Sequence, residues 1–214
     1  MGRNDWYRRT TWTPEDAEHF HARNSRSRGD ANKAQYLRIQ ADTLLRTGED
    51  DLLEPAFELS QLALERSPGT LSHAPALDCA GRCLERLGQY REAIQHFLDA
   101  LEYQRQVPGI RTNACFHLGR VVATTRARDF YEVTCDALED FGAPVFPWHA
   151  YMVNGIHACI RADQGDDETA RELAQAALMS AEVSDSGLGW GRSKLGLVSD
   201  TTSTFHRTIE GLAV

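Results

Sequence analysis

Cysteine and histidine are the residues of this 214-residue chain with the greatest capacity for nucleophilic or metal chemistry. The five cysteines form no C-x-x-C pair, and the eight histidines form no H-E-x-x-H motif. Cys79 and Cys83 are one helical turn apart, but no nearby His or Cys completes a ligand set. We therefore expect small buried thiols, no bound metal and no cofactor.

Other catalytic patterns are also missing from the sequence. There is no G-x-S-x-G motif, and the glycine-rich stretch 187–194 lacks both the preceding strand and the G-K-[ST] ending of a phosphate-binding loop. The carboxylate clusters 49–51 and 166–168 fall at turns and helix starts, where the helix dipole stabilises acids. We predict no catalytic residue and a chain that is not an enzyme.

Length and hydropathy are those of a folded globular chain. Hydrophobic residues make up 42% and charged residues 25%, both ordinary values. No apolar run is long enough to span a bilayer, and the start of the chain lacks the apolar stretch of a secretory signal. The sequence therefore predicts a cytoplasmic protein without a membrane partner.

Charge argues against nucleic acid as a partner. The net charge is −8, whereas a nucleic-acid binder gains affinity by neutralising phosphates. Residues 1–48 carry nine Arg and Lys against six Asp and Glu, and residues 49–214 carry fourteen against twenty-five. Arg outnumbers Lys by 21 to 2, which we attribute to a GC-rich bacterial genome.

Residues 74–107 contain the clearest structural pattern, two amphipathic helices separated by Gly88. Apolar residues recur at spacings of three and four in both halves, as a helix buried on one side requires. Gly88 lies where a helix end favours a left-handed residue. The apolar positions are Leu77, Ala80, Gly81 and Leu84, then Ala93, Ile94, Phe97, Ala100 and Leu101.

This segment resembles a tetratricopeptide repeat. The match rests on Ala80-Gly81, Gly88-Gln89-Tyr90, Ala93, Phe97, Ala100 and Leu101. Small residues lie where two helices cross closely, and the aromatic rings fill the remaining space. The runs DWYRRTTW and KAQYLRIQA are similar to bacterial tetratricopeptide-like proteins that have no assigned activity.

Three further units match the repeat less closely but recur at a similar spacing along the chain. Aligning the small residue of each first helix gives Ala41, Gly81, Gly119 and Ala158. Glycines at 48, 88 and 165 end those helices, and Arg126 takes this place in the third unit. The resemblance implies an all-α, right-handed superhelix of about four helical hairpins. We expect one repeat domain over 1–214, with the repeats at 31–185.

Both ends of the chain are predicted to cap the repeats. Thr13 and Pro14 indicate a helix start, and the helix should cover about 14–27 within a capping segment 1–30. The aromatic residues near the N-terminus should pack across the first repeat. Residues 186–214 should form a glycine-rich loop and a last helix capped by Ser199 or Asp200.

The resemblance also implies a binding surface, because the first helix of each tetratricopeptide unit lines a concave groove. Transferred to this chain, the exposed groove positions include Leu45 and a row of arginines with one aromatic ring. The predicted partner-binding residues are Arg38, Arg46, Arg82, Arg86, Phe116 and Arg120. Arginine forks suit carboxylates and phosphates. Alternatively, Asp42, Asp78 and Glu85 neutralise these arginines along the helix surface.

We therefore expect an interaction module that binds a protein or an acidic peptide in this groove. One alternative is a bacterial immunity or antitoxin-like protein that masks a basic toxin with its acidic half. Another is a small-molecule-binding protein or enzyme that uses the groove arginines with His117 and His157. Residues 1–27 or the last helix are candidate surfaces for a homodimer.

Overall fold

The computed structural model describes residues 5–107, 109–188 and 192–214. Within these ranges the chain forms ten α-helices and no β-strand, which confirms the all-α prediction. The chain divides into two compact units, Met1–Ala114 and Cys115–Val214. Of the predicted N-terminal segment, residues 1–4 lie outside the described part, as do residues 189–191 of the glycine-rich stretch.

Unit 1 contains the first five helices. Helix α2 packs against α3, α3 against α4, and α4 against α5, while α1 packs against α2. A short 3-10 turn at Asp50–Leu52 precedes α3. The bounds are α1 Pro14–Ser25, α2 Asp30–Leu45, α3 Leu53–Arg66, α4 His73–Arg86 and α5 Tyr90–Gln106.

The first helix begins where the sequence predicts. The Thr13 hydroxyl accepts a hydrogen bond from the Asp16 amide at 3.1 Å, and the Asp16 carboxylate accepts one from the Thr13 amide at 3.1 Å. Pro14 occupies the first helical position, where its missing N–H has no intrahelical acceptor to lose. The helix ends at Ser25, before the predicted residue 27.

The core of unit 1 contains close helix contacts at small residues. Ala41 and Ala63 are fully buried beside larger aliphatic side chains. A Cβ atom on Gly81 would lie 2.5 Å from Cε1 of Phe97, far inside van der Waals contact. Helices α4 and α5 therefore approach closely at Gly81, as the small-residue pattern predicts.

The N-terminal segment is held against α1 and α2. The ring of Trp6 lies 5.4 Å from that of Phe20 and 4.9 Å from that of Tyr36. Gln40 on α2 is fully buried and pairs with the backbone of Arg9 in both directions, at 2.9 and 2.7 Å. This exchange fixes the extended segment on the helix surface and positions the side chains next to Arg9.

Unit 2 contains the remaining helices. Helix α8 packs against α9, and α10 packs against both. A 3-10 turn at Arg128–Phe130 precedes α7. The bounds are α6 Ala114–Thr125, starting at the boundary of the units, α7 Tyr131–Phe141, α8 Pro147–Asp163, α9 Asp167–Ala181 and α10 Thr204–Leu212.

Turn residues with positive φ follow the predicted helix ends. Gly48, Gly88 and Gly165 have φ values of 85°, 76° and 84°, in the range that side chains disfavour. Arg126 occupies the equivalent place in the third helix pair and has a φ of 53°. It is the one non-glycine residue with positive φ in the described part of the chain.

The last helix differs from the prediction at its start. Ser203, rather than Ser199 or Asp200, is the N-cap residue, and its hydroxyl accepts a hydrogen bond from the His206 amide at 3.3 Å. The Asp200 carboxylate instead accepts from the Ser203 amide in the preceding turn at 3.1 Å. The described residues of the loop between α9 and α10 form no helix.

Candidate functional site

Two helices of unit 1 position the arginines that the sequence singles out. Arg38 and Asp42 are four residues apart on α2, and Arg46, four residues further on, is the C-cap of that helix, so the three lie along one side of it. Asp78 and Arg82 are similarly spaced on α4, which also packs against α2. The two faces meet and form a polar surface within unit 1.

Asp42 is the acid that joins these faces. Its Oδ1 accepts a hydrogen bond from Nη1 of Arg82 at 2.7 Å, and its Oδ2 lies 3.7 Å from Nη1 of Arg46. The side chains of Asp42 and Arg82 are 26% and 25% exposed, whereas that of Arg46 is 73% exposed. The contact to Arg82 is therefore the stronger of the two, since it is shorter and less solvated.

Arg82 keeps its charge although it is partly buried. Burial alone would lower the pKa of this guanidinium. The neighbouring Cys79, Asp78 and Asp42 outweigh that effect and hold the pKa of Arg82 above its ordinary value. Arg82 is thus a fixed cation, and its position is set by its hydrogen bond to Asp42.

Two adjoining depressions open on this surface, with volumes of 310 and 630 Å³. Arg38 and Asp42 line both of them, so the depressions form one continuous feature. Five arginines and two aspartates contribute to the lining, which leaves an excess of positive charge. We call this feature the arginine surface; its charged residues are Arg8, Arg38, Asp42, Arg46, Asp78, Arg82 and Arg111.

Arg38 stands at the centre of the arginine surface. Its side chain is half-buried on α2, and it forms no hydrogen bond or ion pair with any residue that the structure describes. Arg82 and Arg46, by contrast, both share Asp42. The predicted neutralisation by acids therefore applies to Arg82 and in part to Arg46, and leaves Arg38 with its donors available.

Arg86 lies outside the two depressions. Its Nη2 donates to the Gly48 carbonyl at 2.9 Å and to Asp50 Oδ1 at 2.8 Å. These bonds satisfy a carbonyl group in the turn between α2 and α3. Arg86 thus has a structural partner, and we assign it to that turn rather than to the arginine surface.

Phe116 does not occupy the exposed position predicted for it. Its ring is fully buried, 4.7 Å from that of Phe141 and stacked on that of His149 at 5.1 Å. Leu45 is also buried, with 5% exposure. Both residues belong to the core of their own unit, so neither can contact a ligand at the surface.

Arg120, the remaining predicted residue, is half-buried on α6 in unit 2. It lies near Tyr151, whose pKa is raised mainly by burial and is partly lowered by Arg120. Of the six predicted partner-binding residues, the arginine surface of unit 1 contains Arg38, Arg46 and Arg82.

Two further arginines of the arginine surface could not be identified from the sequence pattern. Arg8 belongs to the segment that Gln40 binds through the backbone of Arg9, and Arg111 follows α5. Neither residue falls on a helix, so helical periodicity could not place them. The pairing of an extended segment with α2 depends on the tertiary fold.

The structure also brings together a thiol and an imidazole that spacing could not connect. In unit 2, Cys135 Sγ lies 3.8 Å from Nδ1 of His157. Burial raises the pKa of Cys135 and lowers the pKa of His157. Both groups are therefore neutral near pH 7, and the contact is a weak S–H hydrogen bond rather than the thiolate–imidazolium pair of a cysteine nucleophile.

A depression of 520 Å³ beside this pair contains an acid with several partners. Asp163 accepts hydrogen bonds from Arg128 Nε at 2.6 Å and from the Tyr131 hydroxyl at 3.0 Å. The hydrogen bond from Arg128, helped by that from Tyr131, lowers the pKa of Asp163. The hydrogen bonds of Asp163 therefore connect the end of α8 to the turn before α7.

No family model, curated protein or solved structure matches this chain. Within the described ranges, no three His, Cys, Asp or Glu side chains cluster closely enough to hold a metal ion. No helix in the same part of the chain has the length and apolar character needed to cross a membrane. The geometry of the site is therefore the basis for a functional assignment.

Proposed function

We propose that this chain is a tetratricopeptide-like interaction protein that binds an acidic segment of a partner protein on the arginine surface. The observation that carries the proposal is Arg38, which lines both depressions and has no partner among the described residues. A guanidinium in this setting offers a planar pair of donors that matches a carboxylate.

The surroundings of Arg38 support a peptide rather than a single ion. Arg38 lines both depressions, so a ligand that fills both would contact it together with residues that line only one of them. Arg82 is fixed by Asp42 on one side, and Arg46 is largely exposed on the other. An extended segment with two or more carboxylates would satisfy several of these cations at once.

The charge of the rest of the chain supports selectivity for such a ligand. The net charge of −8 repels acidic molecules in general, whereas the arginine surface carries a local excess of positive charge. Like charges elsewhere on the protein disfavour nonspecific contacts with an acidic partner, and the local cations favour one docking position.

Binding to a peptide array of graded Asp and Glu content tests this proposal. We expect binding to increase with the number of carboxylates and to weaken as salt is added. Arg38→Glu should lower the affinity for the best acidic peptide about tenfold or more, because it replaces charge-assisted hydrogen bonds with repulsion.

Arg91→Glu is the matched control, since Arg91 is exposed on α5 and lines neither depression. It changes the net charge of the protein by the same amount. Equal losses of affinity in both variants would mean that only overall charge matters, and would overturn the proposed site. Unchanged binding by a folded Arg38→Glu protein, verified by circular dichroism, would do the same.

A further inference from the structure

The larger depression of the arginine surface, with a volume of 630 Å³, is built differently from the smaller one. Its lining comes from α2 and the turn after it, together with Arg8 and Thr10 of the N-terminal segment. The smaller depression is lined instead by α2, α4 and residues 111–113, which follow α5. The N-terminal segment therefore forms a wall of the larger depression alone.

This N-terminal wall is held in place by contacts within the protein. Gln40 binds the backbone of Arg9 in both directions, and the Arg9 guanidinium contacts Asp16 and His19 of α1. Arg8 and Thr10, on either side of Arg9, line the depression. Since these bonds form without a ligand, binding does not have to order the wall, which favours affinity.

Two rows of side chains run along the α2 side of the larger depression. One is the charged row of Arg38, Asp42 and Arg46. The other row has the same spacing of four and carries no charge. It consists of Gln35, Ile39 and Thr43, with Thr47 following the end of the helix. Because the uncharged row lines only the larger depression, this depression offers a ligand two different kinds of contact.

The threonines of the uncharged row cannot donate to a ligand. The Thr43 hydroxyl donates to the Ile39 carbonyl at 2.7 Å, and the Thr47 hydroxyl donates to the Leu44 carbonyl at 2.7 Å. A hydroxyl group has a single proton, and both protons are thus used within the protein. A carboxylate beside this row would gain no hydrogen bond from either threonine, so the row suits an apolar group better than an acid.

Ile39 supplies the apolar contact in the larger depression. It is half-buried, and it is the one aliphatic residue among the described residues that line this depression. Ile39 directly follows Arg38, so a ligand that pairs a carboxylate with Arg38 can place a neighbouring side chain against Ile39. Covering apolar surface removes it from water and favours binding.

We propose that the acidic segment bound by the arginine surface carries an aliphatic residue beside its carboxylates, and that this residue packs against Ile39 in the larger depression. The inference rests on the proposed function and narrows the class of partner. The arginines attract acidic segments in general, whereas Ile39 discriminates among segments of equal charge. Discrimination of this kind is a difference between two affinities, and one apolar contact is enough to create it.

Three series of pentapeptides with blocked ends separate charge from apolar contact. The first has four acidic residues and one leucine, which is moved through the five positions to find the bound register. The second replaces leucine with serine, and the third keeps leucine but replaces every acid with its amide. Calorimetric titration of the full chain should show the best leucine peptide binding about three- to tenfold more tightly than its serine counterpart. The amide series should show no saturable binding.

A substitution at Ile39 assigns the preference to this residue. Ile39→Ala should reduce the leucine preference to less than about twofold and leave the affinity for the serine series within about twofold of the original value. Leu98→Ala is the matched control, because Leu98 is half-buried on α5 and lines neither depression. It should retain the full preference, and circular dichroism verifies that both variants fold.

A measurement on the unchanged protein gives an independent test of the contact. With isoleucine methyl groups labelled by ¹³C, the leucine peptide should shift the Ile39 δ1 methyl signal more than the serine peptide does. Ile94 serves as an internal reference, since it is 3% exposed in the core and should not respond. Equal shifts of the Ile39 signal with both peptides would contradict the proposed packing.

The outcomes distinguish this inference from the proposed function on which it rests. Equal affinity for the leucine and serine series, with both weakened by salt and by Arg38→Glu, would overturn the inference and support the proposed function. An absence of binding by every acidic peptide would overturn the proposed function and the inference with it. A leucine preference that persists in a folded Ile39→Ala protein would place the apolar contact elsewhere and overturn the assignment to Ile39.

Discussion

Arg82 on α4 donates a hydrogen bond of 2.7 Å to Asp42 on α2, and so connects two helices whose paired residues are forty positions apart. The same carboxylate lies 3.7 Å from Nη1 of Arg46, the residue that caps the C-terminal end of α2. Asp42 therefore has two effects. It connects α2 to α4 in unit 1, and on the proposed function it would compete with an acidic ligand for the arginine surface.

Asp42→Asn should change stability and binding in opposite directions. Losing the carboxylate removes the hydrogen-bonded anion of the partly buried Arg82 and leaves Asp78 as its remaining acidic neighbour. This should lower the free energy of unfolding by about 1–2 kcal/mol, between the values for exposed and buried pairs. The same change removes competition, so affinity for acidic peptides should rise severalfold. Urea denaturation and the peptide array measure the two effects.

Glu58→Gln is the control for Asp42→Asn, because Glu58 is exposed on α3 and lines neither depression. It should leave stability within about 0.5 kcal/mol of the original protein. A parallel fall in stability and affinity for Asp42→Asn would show that the aspartate orders the surface for binding instead of competing with the ligand.

Gly81→Ala should destabilise unit 1 through overpacking. The added Cβ would lie 2.5 to 2.9 Å from three atoms of the Phe97 ring, and that ring is fully buried. We expect a loss of about 1–3 kcal/mol in the free energy of unfolding. Urea denaturation followed by circular dichroism measures this loss.

Two further variants test the cause of that loss. Gly211→Ala should be neutral or stabilise by up to about 1 kcal/mol, because Gly211 is helical and a Cβ there would meet nothing within 4 Å. Combining Gly81→Ala with Phe97→Leu should cost less than the sum of the single changes. Strict additivity would show that the Phe97 ring is not the obstacle.

Local patterns predicted much of the fold because helix periodicity, caps and turn glycines act over a few residues. Thr13 and Gly88 illustrate this, and even Arg126 occupies the predicted place of a turn glycine with positive φ. The position of Phe116 could not be predicted in this way. Helix α6 is apolar on most of its circumference, so no stripe in its sequence separates a buried face from an exposed one.

Only those residues of the candidate site that lie on helices could be predicted from the sequence. The spacing of Arg38, Asp42 and Arg46 places them along one side of α2, since helix geometry relates residues four apart. Whether an acid then engages one arginine or another depends on the contact between α2 and α4. A cavity of 250 Å³ beside Asn24 likewise lies between three helices, and no local sequence motif predicts how those helices pack.

Tyr131 should remain protonated at unusually high pH. Burial, supported by the hydrogen bond to Asp163, raises the pKa of Tyr131 to about 12, against an ordinary value of about 10. A group whose pKa is higher in the folded state contributes stability below the unfolded value and loses that contribution as the pH rises through the folded value. Its contribution should therefore be complete below about pH 10 and disappear towards about pH 12.

The difference in tyrosinate absorbance between the original protein and Tyr131→Phe isolates this titration. We expect a difference curve with a midpoint near the raised pKa, and a shift of that midpoint towards the ordinary value when Asp163→Asn removes the carboxylate. A midpoint near pH 10 in the original protein would contradict the buried, hydrogen-bonded setting of the hydroxyl.

Cys135 should be the first of the five cysteines to react in the native protein, and it should react slowly near pH 7. It is half-buried, whereas the other four thiols are buried. Burial raises the pKa of Cys135, and its neighbour His157 has a lowered pKa, so the imidazole supplies no positive charge that would stabilise a thiolate. Alkylation by iodoacetamide, followed by mass spectrometry, should accelerate roughly tenfold per pH unit above neutrality, since the thiolate is the reactive form.

Cys135→Ser should eliminate this first modification and leave the other thiols unreactive until the protein unfolds. If the rate is already constant near pH 7, Cys135 and His157 form an activated ion pair, and unit 2 would then contain a nucleophile that its electrostatics otherwise exclude.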